Sequence, residues 1–178
     1  MSLTHAILGF LSLSPFSGYD LKKAFDSSVR HFWPADQSQI YRTLAQIVEA
    51  GWAEVEVVPQ KEHPDQKIYH LTKAGRAELH QWLANPLPSR ESREPLLIQL
   101  FFASSLSNGE LNGLLQHEVA QTREQLAQLE QIPRADKKSM TRRRFFTELT
   151  LDYGLKIGQA HLEWVEDVIK RVKKAPTG

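Results

Sequence analysis

The side chains best suited to reading a nucleic acid lie in residues 37–49. Ser38, Arg42 and Gln46 are spaced four residues apart, so that on a helix they share one face. Arginine pairs with guanine, and glutamine with adenine, at base edges in the major groove of DNA. The pattern is typical of a DNA-reading helix, and an ordinary solvated helix face is the alternative. Further polar residues flank this face, namely Gln37, Gln39, Tyr41 and Thr43.

A polar stretch over residues 59–66 offers contacts of a different kind. It contains Lys61 and His63, and Lys67 and Tyr69 follow in the next segment. A few cations and polar donors in such a turn suffice to contact phosphates or the minor groove. Two acidic residues are interleaved with these groups, so a polar hairpin tip without a ligand is the alternative.

A third candidate contact lies at Ser17 and Tyr19. Ser17 and Asp20 have the spacing of an N-terminal helix cap, and the free amides at a helix N-terminus bind phosphate oxygens. Ser17 and Tyr19 are therefore expected to approach the DNA backbone. A helix cap with no ligand fits the same spacing.

Three helices are predicted to position these groups. Apolar residues at helical spacing before Pro15 predict the first helix, and Ser17 opens the second. Asp36 and Gln39 have capping-box spacing at the start of the third helix, and Gly51 supplies its C-terminal stop. The buried stripe of this third helix is predicted to consist of Ile40, Leu44, Ile47 and Val48.

The periodicity changes where the third helix ends. Ala53, Val55 and Val57 alternate with glutamates, which predicts a half-buried strand, and residues 67–71 predict the returning strand. Thr72 then caps a further helix. The order of helix, helix, helix, strand, turn, strand and helix is that of a winged helix-turn-helix. The predicted fold class is therefore mainly α, with a small two-stranded wing. The apolar face of the further helix consists of Leu79, Trp82 and Leu83.

Three prolines between residues 85 and 95 form a linker, which divides the chain into a winged helix-turn-helix domain at 1–85 and a helical dimerisation domain at 86–178. The second domain is predicted to begin with a short helix at 93–105. Ser107 and Glu110 form a capping box for a longer helix, whose apolar spacing is close to that of a coiled-coil seam. Its apolar positions are Leu111, Leu115, Val119, Thr122, Leu126 and Leu129.

The last predicted helix, residues 139–174, carries two opposed apolar stripes, which require cover on both sides. The domain supplies only two further helices, which predicts a homodimer; a chain that wraps over both faces unaided is the alternative. One stripe consists of Phe146, Leu149, Tyr153, Ile157, Ala160 and Trp164. The other consists of Leu151, Leu155, Gly158, Leu162, Val165 and Ile169. The expected dimer interface is Leu151, Leu155, Leu162, Val165 and Ile169.

Three segments resemble the PadR family of bacterial transcriptional regulators: SGYDLKKAF at 17–25, SQIYRTLAQIVEAGW at 38–52 and KIYHLTKAGRAELHQWL at 67–83. The resemblance covers the first 85 residues or so, and the helical remainder is similar to the C-terminal dimerisation domain of the same family. It implies a dimeric repressor that binds an inverted repeat in a promoter. It also implies that residues 37–49 are the recognition helix in the major groove.

The resemblance implies roles for single residues as well. Tyr41 and Lys67 match the residues that the family uses near the DNA backbone. The family commonly has proline where Arg42 stands, so Arg42 is expected to give this protein a base or phosphate contact of its own. Small aromatic compounds are the signal for some members, which makes Trp33 and Trp164 candidates for an effector pocket. A dimer interface is the other use expected for Trp164.

Composition excludes several classes of protein. The chain of 178 residues has no cysteine, which rules out disulfide scaffolds, cysteine-ligated metals and cysteine nucleophiles. The seven histidines lack metal-binding spacing, and no catalytic or cofactor motif occurs, so neither a metal, a cofactor nor an enzyme is expected. The longest apolar stretches are about half the ~20 residues of a membrane helix. Without a signal-peptide pattern, the expected location is the cytoplasm.

The charge balance leaves one rival function open. Residues 1–85 hold eight Lys and Arg against nine Asp and Glu, and residues 86–178 hold fourteen against twelve. Neither domain therefore has the strong positive field that attracts DNA, and DNA binding must rest on the local arrangement of the groups above. A winged-helix module that binds protein without binding DNA is the alternative.

Overall fold

The computed structural model describes residues 2–60, 65–87, 93–136, 139–174 and 176. The chain divides into two compact units, Met1–Arg90 and Glu91–Gly178. The first contains α1 (Ser2–Leu11), β1 (Phe16–Ser17), α2 (Gly18–Asp26), α3 (Gln37–Glu49), β2 (Ala53–Val58), β3 (Gln66–Leu71) and α4 (Lys73–Ala84). The second contains α5 (Pro95–Phe101), a 3-10 turn (Ala103–Ser105), α6 (Asn108–Glu130) and α7 (Arg142–Val172). The helix expected at 93–105 is thus a short α-helix followed by a 3-10 turn.

One apolar core holds the first unit together. It receives side chains from all four helices and from β2 and β3, and burying a large apolar side chain stabilises a fold by about 1.5–3 kcal/mol. The stripe predicted for α3 is confirmed at Ile40, Leu44 and Ile47, whereas Val48 is half-buried. The buried members of the core are Ile7, Leu8, Leu11, Leu21, Phe25, Ile40, Leu44, Ile47, Ala53, Tyr69 and Leu79.

Both ends of α3 are fixed by hydrogen bonds that the sequence predicts. Asp36 Oδ1 accepts from the backbone N–H of Gln39 at 2.7 Å, and Gln39 Oε1 accepts from the backbone N–H of Asp36 at 3.0 Å. At the other end Gly51 adopts a φ of 71°, the left-handed region that glycine enters without strain. Trp52 N–H then donates to the carbonyl of Ile47 at 2.9 Å, which completes a Schellman cap.

The sheet is antiparallel, with the strand order β1-β3-β2. Strands β2 and β3 form the predicted wing, with Ala53 opposite Leu71 and Val58 opposite Gln66. Strand β1 is not predicted by the sequence, because two residues show no periodicity. The expected half-burial of β2 is wrong beyond Ala53. Val55 and Val57 are exposed, since the core reaches only the end of the wing nearest the helices.

The second unit is built on the packing of α6 against α7. The stripe predicted for α6 is confirmed at Leu115, Val119, Thr122 and Leu126, which are buried, whereas Leu111 and Leu129 are half-buried. The capping box of Ser107 and Glu110 is also present. Two glycines of α7 allow leucine side chains of α6 to approach the α7 backbone closely. A Cβ on Gly158 would lie 2.8 Å from Leu126 Cδ2, and one on Gly154 would lie 3.2 Å from Leu129 Cδ1.

The dimer interface expected on α7 needs correction. Leu151, Val165 and Ile169 are already buried within the single chain, and Val165 and Ile169 pack with residues of α6. Leu155 and Leu162 are half-buried. The helical period reveals two stripes but not which of them the neighbouring helix covers. The opposite stripe is the exposed one: Phe146, Leu149, Tyr153, Ile157, Ala160 and Trp164.

Candidate nucleic-acid interface

Helix α3 presents a polar face to solvent, opposite its buried stripe. Ser38, Arg42 and Gln46 are all exposed on this face, as the spacing predicts. Arg42 is the single cation in the sequence of α3, so the face is rich in hydrogen-bonding groups and low in charge. That chemistry suits base edges better than phosphates. Gln37, Gln39 and Tyr41 are exposed beside it.

Some of these groups are engaged in the cap of α3. Ser38 Oγ donates to Asp36 Oδ1 at 2.7 Å, and the Gln39 side chain accepts from the Asp36 amide. The hydrogen bonds from the Gln39 amide and the Ser38 hydroxyl lower the pKa of Asp36, and the positive charge of Arg42 adds to this effect. Asp36 therefore stays ionised and holds the first turn in place. Arg42 and Gln46 lie further along the exposed face, beyond the cap.

The start of α2 lies beside α3 at Tyr41. A Cβ on Gly18 would lie 2.5 Å from Tyr41 Cε1 and 2.9 Å from the Tyr41 hydroxyl oxygen, so the ring rests directly against the first residue of α2. Tyr41 is 40% exposed, and Tyr19 in the same first turn is 69% exposed. Two tyrosines predicted to approach the DNA backbone are therefore both accessible.

Two other residues predicted to contact DNA, Ser17 and Tyr69, are largely buried. Ser17 is 4% exposed, and its hydroxyl accepts from the Asp20 amide at 3.1 Å and donates to the Asp20 carboxylate at 2.6 Å. Tyr69 is 8% exposed and belongs to the core. Burial raises the pKa of Tyr69, and the nearby Tyr41 phenol adds to it. The Ser17 hydroxyl is engaged in the cap of α2, and Tyr69 leaves only a small part of its side chain at the surface, so the phosphate contact of Tyr69 stays a prediction.

The wing contributes Lys67, which is exposed on β3 opposite Val57. It is the single Lys or Arg among residues 53–60 and 65–71. Across the same hairpin, His70 Nε2 lies 2.8 Å from Glu56 Oε2. Lys61 and His63, which are also predicted to contact DNA, lie outside the described residues.

The two tryptophans proposed for an effector belong to different units. Trp33 is half-buried and lines an open groove along one side of α3. Trp164 is 37% exposed on α7, with its ring centroid 5.9 Å from that of His161. The groove beside α3 is lined by Leu3, Phe32, Trp33, Pro34, Gln39, Arg42, Thr43 and Gln46.

The described residues contain neither a helix suited to a membrane nor a cluster suited to a metal ion. None of the helices there is both long enough and apolar enough to cross a membrane. In the same part of the chain, no group of three or more histidine and acidic side chains is arranged to hold a metal ion.

A polar-faced helix set on a helical core and followed by a two-stranded hairpin defines the first unit as a winged helix-turn-helix, and a helical unit follows it. Residues 7–81 match the Transcriptional regulator PadR-like family, and residues 92–173 match the family Virulence activator alpha C-term. The match over residues 7–81, together with the whole-chain similarities below, confirms the resemblance to PadR-like transcriptional regulators seen in the sequence.

The curated relatives cover the chain to different extents. A probable transcriptional regulator of Mycobacterium tuberculosis is 45% identical over 94 residues, which span 52% of this chain and only half of that relative. The negative transcriptional regulator PadR of Bacillus subtilis is 28% identical over 97% of this chain and 98% of its own length.

Solved structures resemble the whole chain. Bacillus subtilis PadR in complex with operator DNA has a TM-score of 0.81 at 27% identity, covering 97% of this chain and 99% of that one. The same protein has been solved in complex with p-coumaric acid. The virulence activator AphA of Vibrio cholerae has a TM-score of 0.80 at 28% identity, and the match covers 97% of this chain and 98% of AphA.

Proposed function

We propose that this protein is a homodimeric transcriptional regulator that binds an inverted-repeat site in a promoter. Residues 1–85 act as the DNA-binding domain, and residues 86–178 act as the dimerisation domain. One observation carries the proposal: α3 exposes Arg42 and Gln46 on the side opposite its buried stripe, next to a wing. The relative solved on operator DNA supports it.

In the proposed complex, α3 enters the major groove. Arg42 pairs with a guanine and Gln46 with an adenine, and each such pair discriminates against a wrong base by about 1–3 kcal/mol. Ser38 lies on the same face, and Gln37 and Gln39 flank it. Phosphate contacts come from Tyr19 and Tyr41, which are exposed, from Lys67 on β3, and from Lys61 and His63, which lie between β2 and β3 in the sequence.

Dimerisation is proposed to use the exposed stripe of α7. Phe146, Leu149, Tyr153, Ile157 and Trp164 follow one another along one side of a single helix and are all exposed in the lone chain. Contiguous apolar patches of this kind mark interaction surfaces. A two-fold axis then presents two copies of α3 to DNA, and winged helix-turn-helix dimers read half-sites about 34–36 Å apart.

The sign of regulation is proposed to be negative. The Bacillus subtilis relative is a negative regulator by name, whereas the Vibrio cholerae relative is a virulence activator. Because the former is solved with p-coumaric acid, a small aromatic effector is part of the proposal, with Trp33 and Trp164 as candidate contacts. The protein is expected to act in the cytoplasm and to catalyse no reaction.

The test is binding of the full-length protein to the region upstream of its own gene. A gel shift is run against this duplex and against a duplex of the same length and composition in scrambled order. The proposal predicts selective binding with two protomers per site, and loss of the selectivity in Arg42→Ala. Absence of binding would instead favour the protein-interaction module, for which the net charge of −1 on residues 1–85, eight cations against nine anions, is the supporting observation.

A further inference from the structure

The Tyr41 ring of α3 packs directly against Gly18 at the start of α2. Gly18 is the first residue of α2 and is buried. A Cβ placed on it would lie 2.5 Å from Tyr41 Cε1, 2.7 Å from Cζ and 2.9 Å from the hydroxyl oxygen. These distances are too short for any real side chain, so Tyr41 can hold its present position only if residue 18 has no Cβ.

The backbone does not require glycine at this position. Among the described residues, Gly51 alone has a positive φ, so Gly18 lies in a conformation open to any residue. Alanine is also a better helix former than glycine. The space needed by the Tyr41 ring is therefore the reason for glycine at the start of α2.

Tyr41 has a second neighbour, Tyr69. The pKa of Tyr69 is raised, first by burial and then by the Tyr41 phenol, which places the two phenols within electrostatic range. Tyr69 is fixed in the core, whereas Tyr41 is 40% exposed. The Tyr41 ring therefore rests against the start of α2, with part of its surface open to solvent.

We propose that Gly18 is a positioning residue for DNA binding: the space it leaves holds the Tyr41 ring against the start of α2 and so aims the phenol hydroxyl at a DNA phosphate. This inference rests on the proposed function, in which Tyr41 contacts the DNA backbone. Substitution of Gly18 would turn an accessible tyrosine away from its phosphate without removing any group that touches DNA.

Gly18→Ala tests the proposal. The atoms it displaces belong to the far end of a half-exposed side chain, so the ring is expected to swing outward and the fold to persist. The midpoint of thermal unfolding should stay unchanged or rise, because alanine favours the helix. Operator affinity should fall about threefold to tenfold per protomer, the amount expected for one lost hydrogen bond. Stability and affinity thus move in opposite directions.

A double-mutant cycle with Tyr41→Ala separates positioning from a direct effect. Tyr41→Ala removes the three atoms that lie nearest to a Cβ at residue 18, so Gly18→Ala should leave the affinity of Tyr41→Ala unchanged. Gly9→Ala is the matched control, because a Cβ on Gly9 in α1 has no neighbour within 4 Å. It should not alter operator affinity.

The outcomes distinguish the two proposals. If Tyr41→Ala binds the operator as tightly as the unaltered protein, the backbone contact assigned to Tyr41 in the proposed function is wrong. If Tyr41→Ala weakens binding and Gly18→Ala does not, or if their effects add, only the positioning role is overturned. If Gly18→Ala alone fails to fold, the proposal predicts that Gly18→Ala combined with Tyr41→Ala folds. A double variant that also fails to fold would overturn the positioning role of Gly18.

Discussion

The carbonyl oxygen of Trp52 occupies the place where residue 75 would carry a side chain. A Cβ on Gly75 would lie 2.1 Å from this oxygen and 2.8 Å from Leu71 Cδ1. The same carbonyl accepts the backbone N–H of Thr72 at 3.0 Å, and the Thr72 hydroxyl donates to the carbonyl of Gly51 at 2.8 Å. These contacts join the first turn of α4 to Gly51 and Trp52, the residues between α3 and β2.

Gly75→Ala is therefore expected to destabilise the first unit. The obstacle is a backbone atom, which cannot rotate away as a side chain can, so α4 must shift. Overpacking of this kind costs typically about 1–3 kcal/mol of unfolding free energy, and the upper end is expected here. Urea unfolding followed by circular dichroism measures it. Gly9→Ala is the control and should be neutral or stabilising. If Gly75→Ala were as stable as the unaltered protein, the packing of Gly75 against the Trp52 carbonyl would be contradicted.

The exposed stripe of α7 leads to a prediction about assembly. Ile157→Glu places a charge in the middle of this stripe, where Ile157 is exposed in the single chain. The stripe should no longer self-associate, because burying a charge without a partner is costly. Sedimentation equilibrium should then report monomers with an unchanged helical content. A dimer that persists in Ile157→Glu would assign the interface to another surface.

Val165 lies on the opposite face of α7, and its substitution is expected to affect the stability of the second unit more than dimerisation. It is fully buried against α6 residues such as Leu115 and Val119. Val165→Ala should lower the unfolding free energy of the second unit by about 1–3 kcal/mol, since it leaves a cavity in the core. The dissociation constant of the dimer should change less than in Ile157→Glu. The reverse pattern would restore the interface first expected at Leu151, Val165 and Ile169.

Acidification should loosen the start of α3 through Asp36. Its pKa is lowered in the folded chain by the Gln39 amide and the Ser38 hydroxyl, so protonation favours unfolding. The contribution of the carboxylate is present above about pH 4 and is lost as the pH falls through the lower folded-state pKa. Asp36→Asn keeps an oxygen that can accept from the Gln39 amide but cannot titrate.

The measurement is the unfolding free energy of both proteins between pH 6 and pH 2.5. The unfolding free energy of the unaltered protein should exceed that of Asp36→Asn at pH 6, and this difference should shrink steadily as the pH is lowered. A difference independent of pH would show that the ionised form of Asp36 does not hold the cap.

Much of the DNA-binding unit could be predicted because its signals are local. Asp36 and Gln39 begin α3, and Gly51 ends it, through hydrogen bonds to residues three to five positions away. Apolar spacing then settles which face is buried, and so leaves Arg42 and Gln46 on the exposed face. Caps and helical periods are properties of short segments, which makes them visible in the sequence.

The errors arose where distant segments decide the outcome. Tyr69 lies on the returning strand of the wing, where a phosphate contact is predicted, but its pairing with Phe16 of β1 and its packing in the core bury most of it. Ser17 is buried by the same strand pairing. On α7 the apolar period is the same on both faces, and only α6 determines that Val165 is covered while Ile157 is not.

Base reading by α3 is tested most directly by the affinity of Arg42→Ala for two duplexes, the operator and a random sequence, with Lys67→Ala as the comparison. Fluorescence anisotropy at several salt concentrations gives each dissociation constant. Arg42→Ala should lose about 1–3 kcal/mol on the operator and much less on random DNA. Lys67→Ala should weaken both alike and reduce the salt slope by about 0.9 per protomer. Equal losses of Arg42→Ala on both duplexes would contradict base reading by α3.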